Sequence, residues 1–130
     1  MKIIILDDSL TVRMIIESYL EDLGVEDDEV FSFDDGHKAL EFIKTEGVDI
    51  VFSDINMPLM SGFEFAKSAF NLLPTLKKTF FAISGDETKE SYTKMKESGV
   101  HHFLKKPINN LHFNHFVLPL ILRQRHIDSL

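Results

Sequence analysis

The 130-residue sequence has no cysteine and no tryptophan. Without cysteine there is no disulfide scaffold, no thiolate-based zinc site and no thiol nucleophile. Four prolines and six glycines form no linker, repeat or low-complexity tract. Positive charge is scarce: 14 Lys and Arg stand against 21 Asp and Glu, for a net charge of −7. This argues against autonomous binding to nucleic acid, whose affinity comes largely from cationic side chains neutralising phosphates. Long apolar runs are also missing. Ile3-Ile4-Ile5-Leu6 stops at two aspartates, far short of a signal-peptide core, and no stretch approaches the ~20 apolar residues of a membrane span. At about 100–200 residues per domain, the expectation is one cytoplasmic domain over residues 1–130.

What the chain does contain is an alternation of short apolar runs with helical patterns. Residues 3–6 read as a strand buried on both faces. Val12, Ile15, Ile16, Tyr19, Leu20 and Leu23 follow at helical spacing, with Gly24 as a stop signal. Residues 29–33, 49–53, 79–83 and 102–104 read as four further strands. Helical segments lie between them; the one over 87–98 is mostly polar, with only Tyr92 and Met95 as apolar anchors, and a last helix over 110–127 carries Pro119. A helix-interior proline removes a backbone donor, so a kink or break is expected near Leu118. Strands alternating with helices imply an α/β fold with a parallel sheet covered on both faces.

In such a sheet, chemistry collects beyond the carboxyl ends of the strands. The reactive side chains fall there: Asp7 and Asp8 after the first run, Asp54 after the third, Ser84 after the fourth and Lys106 after the fifth. Each alone is unremarkable, since an aspartate after a strand is often a turn former or helix cap. Together they would place three carboxylates, a hydroxyl and an ammonium in one crevice. Crowded carboxylates resist ionisation unless a cation is present, and Mg²⁺ suits a few carboxylates plus water or phosphate oxygens. A carboxylate can act as nucleophile toward a phosphoryl group, with lysine and serine to hold that group's oxygens.

Asp7-Asp8, then Ser53-Asp54-Ile55-Asn56-Met57-Pro58 with Gly62, then Ser84, then Lys106-Pro107, resembles the receiver domain of bacterial two-component response regulators. The successive intervals between Asp8, Asp54, Ser84 and Lys106 are 46, 30 and 22 residues, and the stand-alone chemotaxis receivers look closest. The resemblance implies a flavodoxin-like, doubly wound, five-stranded parallel sheet of order 2-1-3-4-5. It implies Asp54 as phosphoacceptor from a sensor histidine kinase. Mg²⁺ would be held by Asp8, Asp54 and the Asn56 backbone carbonyl, with Asp7 acting through water. Ser84 and Lys106 would bind the phosphoryl group, Ser84 and Phe103 would switch, and Asn56 and Asp86 would tune dephosphorylation. The output surface would be the fourth helix, fifth strand and fifth helix, facing an unidentified downstream protein.

The sequence departs from the family pattern at Phe103, which lacks the hydroxyl of the more common tyrosine, and at Gly85. Phe103 is either a working switch or an ordinary strand aromatic. Residues 111–122 are apolar at eight of twelve positions, more than one helix stripe needs. They would close the core, form a homodimer or partner interface, or meet the output domain of a longer response regulator. His101, His102, His112 and His115 lack an identifiable third metal ligand. An aspartyl-nucleophile phosphatase is the competing enzymatic reading. Its general acid two residues after the nucleophile is here Asn56, and an amide cannot shuttle the proton.

Overall fold

The computed structural model describes residues 1–85 and 88–130. Five strands, β1 (Ile3–Leu6), β2 (Val30–Phe33), β3 (Ile50–Asp54), β4 (Phe80–Ser84) and β5 (His102–Lys105), alternate with five helices. The helices are α1 (Leu10–Asp22), α2 (Gly36–Glu46), α3 (Gly62–Leu72), α4 (Lys89–Glu97) and α5 (Asn110–Asp128). All strand pairs are parallel and the order is β2-β1-β3-β4-β5, the doubly wound, flavodoxin-like arrangement expected.

Successive side chains of a strand point to opposite faces, so each apolar run feeds two cores. Ile3, Ile5, Ile50, Phe52, Phe81 and Ile83 pack with Ile16 and Leu20 of α1 and Phe113, Val117 and Ile121 of α5. Ile4, Leu6, Val51, Phe80 and Ala82 pack with α2 and α3 and with Met95 of α4. Burial on both faces explains why these strands read as continuous apolar runs rather than alternating ones. Phe52 anchors the first core, stacking at 5.2 Å on Phe81 and 5.4 Å on Phe113.

Local signals set the helix ends. Ser9, Asp35, Ser61, Thr88 and Asn109 each accept a backbone N–H in the first turn of the helix that follows, satisfying donors that the helix itself leaves open. Gly24, just past α1, adopts φ +86°, a conformation that disfavours other residues. Two short 3₁₀ turns, Asp27–Glu29 and Pro74–Lys78, lie where sequence periodicity offers no pattern to read.

α5 is unbroken at Leu118, running from Asn110 to Asp128 with Pro119 inside it. Pro119 and His115 lie on the exposed side. On that side the proline ring packs against no core residue, and water has access to the turn whose helical bond is missing. Phe113, Val117 and Ile121 face the core, while Leu111, Phe116 and Leu122 stay exposed.

At the far end of α5, Arg125 donates to both carboxylate oxygens of Glu29, at 2.7 and 2.9 Å, and to the Gly24 carbonyl. Those hydrogen bonds pull the Glu29 carboxyl from its ordinary 4.5 down to about 2. A depressed folded-state pKa gives stability that is complete above the ordinary value and lost as pH falls toward the folded one. Glu29→Gln is therefore expected to lower stability at neutral pH by roughly 1 kcal/mol, discounted for the exposed guanidinium. Wild type and variant should converge between about pH 4.5 and 2, as read by chemical denaturation across pH.

Candidate functional site

Strand register brings the reactive residues together. Leu6 pairs with Ser53, so Asp7, one step beyond β1, comes level with Asp54 at the end of β3. Ser84 ends β4 and pairs with Lys105, so Lys106 lies one step past β5, its N–H bonded to the Ser84 carbonyl at 2.6 Å. Asp54 is the last residue of its strand rather than the first of the loop. Asp7 and Asp54 are buried, Asp8 is exposed and Lys106 is half-buried.

One ammonium faces two buried acids. Lys106 Nζ lies 3.3 Å from Asp7 Oδ2 and 3.5 Å from Asp54 Oδ2. Asp7 Oδ1 accepts the Ser9 N–H at 2.8 Å, so Asp7 orders the turn into α1 while Ser9 caps the helix. Arg13, unforeseen in the sequence, donates to the Asp7 carbonyl at 2.6 Å. Asp54 Oδ1 accepts the Asn56 N–H at 3.4 Å.

Electrostatics follow from burial. Desolvation, then the neighbouring Asp7 charge, push the Asp54 carboxyl from 3.8 up to about 6 despite Lys106. Burial raises Asp7 as well, against the opposing Ser9 and Lys106 contacts. Burial pulls the Lys106 ammonium down, but Asp54 and Asp7 more than offset it, leaving it above its ordinary value. The cluster therefore carries more negative charge than one lysine neutralises.

That deficit fits a hard divalent cation. One carboxylate oxygen from each of Asp7, Asp8 and Asp54 lies within 4.8 Å of the others. The buried Asp7 Oδ2 finds no hydrogen-bond partner among the described residues and has Lys106 as its ion-pair contact. An all-oxygen, mainly anionic donor set suits Mg²⁺.

Gly62 supports the end of β3. Its N–H bonds to the Ile55 carbonyl at 2.8 Å. A Cβ there would collide with the Asp54 carbonyl oxygen and lie 2.7 Å from Ile55 Cα.

Of the residues singled out from sequence, Asp7, Asp8, Asp54 and Lys106 thus converge. Asn56 is exposed at the mouth of the β3–α3 loop, and Asp86 lies outside the described residues. Phe103 is half-buried, its ring 5.4 Å from that of Tyr92. Ser84 is 1% exposed and its Oγ accepts a 2.6 Å hydrogen bond from the Tyr92 hydroxyl. From sequence Tyr92 is only an apolar anchor of the fourth helix; no pattern reveals its hydroxyl's partner.

A doubly wound sheet with an acidic pocket and a lysine at its carboxyl edge defines a phosphoacceptor regulatory domain rather than an enzyme with its own substrate. The chain belongs to the response regulator receiver domain family, whose profile matches residues 3–117. It is 33% identical over 112 residues to chemotaxis protein CheY-3 of Vibrio cholerae, covering 82% of this chain and 81% of that one. Among solved structures, the chemotaxis response regulator CheY4 of Vibrio cholerae superposes with a TM-score of 0.76 at 31% identity, over 92% of this chain and 97% of that one. Similarity also extends to the autoinducer sensor kinase/phosphatase CqsS of Vibrio cholerae, 27% identical over 82% of this chain but only 15% of that protein.

A raised carboxyl pKa means that the folded protein binds the proton more tightly, so stability falls as pH rises from about 4 to about 6. Without metal, Asp54→Asn should stabilise the fold by about 1–3 kcal/mol at pH 7, an advantage that vanishes below about pH 4. Mg²⁺ should raise the melting temperature of wild type more than that of the variant. Gly62→Ala should cost about 1–3 kcal/mol through forced displacement of backbone and reduce phosphoryl uptake, as measured by denaturation and mass spectrometry.

Proposed function

We propose that this receiver domain is switched by Mg²⁺-dependent phosphorylation of Asp54, with a histidine kinase's phosphohistidine as donor. The observation that carries the reading is the packing of Asp54 beside Asp7 and Asp8 under a single ammonium. Asp54 Oδ attacks phosphorus, forming the O–P bond as the P–N bond to the donor imidazole breaks. The electron pair leaves on that nitrogen, which then takes a proton from water. Asp8, Asp54 and the Asn56 carbonyl would hold Mg²⁺, with Asp7 acting through water. When bound, Mg²⁺ supplies charge neutralisation at the transferring oxygens.

Lys106 already touches both buried acids through a flexible stem. A phosphoryl group on Asp54 would compete for that ammonium and for the Ser84 hydroxyl through charge-assisted hydrogen bonds. The added ~1.5–2 negative charges then bias the β4–α4 region between two arrangements. Leu10 and Met14 stay exposed on α1, and Leu59 in the loop after β3. These apolar side chains, on elements adjoining the acids, suit docking of a kinase. The likeness to chemotaxis proteins supports a stand-alone cytoplasmic role, with the α4–β5–α5 face turned toward a downstream protein. Among the described residues, no helix is long and apolar enough to cross a membrane.

Incubation with Mg²⁺ and acetyl phosphate should add one phosphoryl mass to wild type. Asp54→Ala should abolish it, and chelating the metal should do the same. A phosphoryl increment that persists in Asp54→Ala overturns the assignment.

A further inference from the structure

Ser84 ends β4 at the site, yet its hydroxyl is engaged from outside the acidic cluster. Tyr92, eight residues on and within α4, donates to Ser84 Oγ at 2.6 Å. The same ring rests against Phe103 of β5, at 5.4 Å and 50°. One half-buried side chain thus touches both the end of β4 and the body of β5. The helix that carries it is weakly held: of the α4 residues, Met95 is the one that is buried. Few buried contacts mean low local stability, so a single specific hydrogen bond has leverage over where this helix sits.

A serine hydroxyl rotates among three staggered wells and has one hydrogen to give. In the well that meets Tyr92, Ser84 Oγ accepts a hydrogen bond from the phenol hydroxyl. Turning toward a phosphoryl oxygen on Asp54 moves Oγ away from that donor. Phe103 has no hydroxyl, so the polar link between strand end and helix lies on α4 and the β5 aromatic contributes ring packing alone. We propose that Tyr92 is a positioning residue: its hydrogen bond latches Ser84 in the unphosphorylated arrangement. Capture of Ser84 by a phosphoryl group on Asp54 breaks the latch and frees Tyr92, with α4, from the end of β4. This rests on the reading of Asp54 as phosphoacceptor.

The latch opposes phosphoryl binding, so its removal strengthens binding. The test uses the intact protein with Mg²⁺ and beryllofluoride, a mimic of an aspartyl phosphoryl group, followed by calorimetry. Tyr92→Phe keeps the ring on Phe103 and deletes only the hydroxyl. It should bind the probe about fivefold more tightly, the worth of one neutral hydrogen bond. In a Ser84→Ala background, Tyr92→Phe should change affinity by less than about twofold, because the effect runs through Ser84. The two tyrosines, Tyr19 and Tyr92, allow a direct readout by 3-fluorotyrosine labelling, with the Tyr92 resonance assigned by its loss in Tyr92→Phe. That resonance should shift at saturating probe. Unchanged or weaker binding in Tyr92→Phe overturns the latch, as does an equal effect with and without Ser84, or a Tyr92 resonance that stays in place. If wild type binds no probe, the reading of Asp54 fails, and the latch with it.

Discussion

Two buried carboxylates share one ammonium at the carboxyl edge of the sheet, and most of the molecule's behaviour descends from that imbalance. Asp7 and Asp54 are held out of water by the same packing that makes the fold stable. Lys106 reaches both but can neutralise only one. Asp8 adds a third negative group on the open side. In a folded chain such a cluster is costly by itself, since desolvated like charges oppose ionisation. It becomes favourable when a cation enters, and it can be rearranged when a phosphoryl group arrives. The site is thus poised by its own unfavourable electrostatics.

The sheet makes the imbalance sustainable. β1, β3 and β4 are apolar on both faces and buried from end to end, so they are stiff supports whose ends cannot relax outward. Parallel register then aligns residues far apart in the chain. The Gly62 N–H holds the Ile55 carbonyl just beyond β3, and the lack of a side chain there lets α3 begin against the Asp54 backbone. Packing, rather than hydrogen bonding within the cluster, keeps the acids together.

The parts that could be read from sequence are those written in local patterns. The runs at 3–6, 49–53 and 79–83 show double-sided burial, the α1 periodicity shows a single apolar stripe, and the residues beyond each run declare the site. What escaped reading depends on three-dimensional placement. Whether Pro119 breaks α5 turns on which side of the helix it occupies, and it lies on the exposed side. The 3₁₀ turn at Pro74–Lys78 is held by Leu76, buried in the core beneath α3, a contact with no periodic signature. Arg125 meets Glu29 across 96 residues. Tyr92 reads as an apolar anchor because its ring does pack; its hydroxyl matters only once α4 is laid across the end of β4.

That last placement sets the division of labour in the domain. α1 and α5 bury aromatic and branched residues deeply against the β1–β3–β4 centre, and they have little freedom to move without opening the core. α4 buries Met95 and half-buries Tyr92, with charged residues over most of its remaining surface. Charge added at Asp54 must be accommodated by something that can move at low cost. Of the elements touching the site, α4 is the one secured least by burial, and its polar tie runs to Ser84 at the strand end. The compliant helix and the reactive carboxylate are therefore linked by a residue that can exchange one hydrogen-bond partner for another.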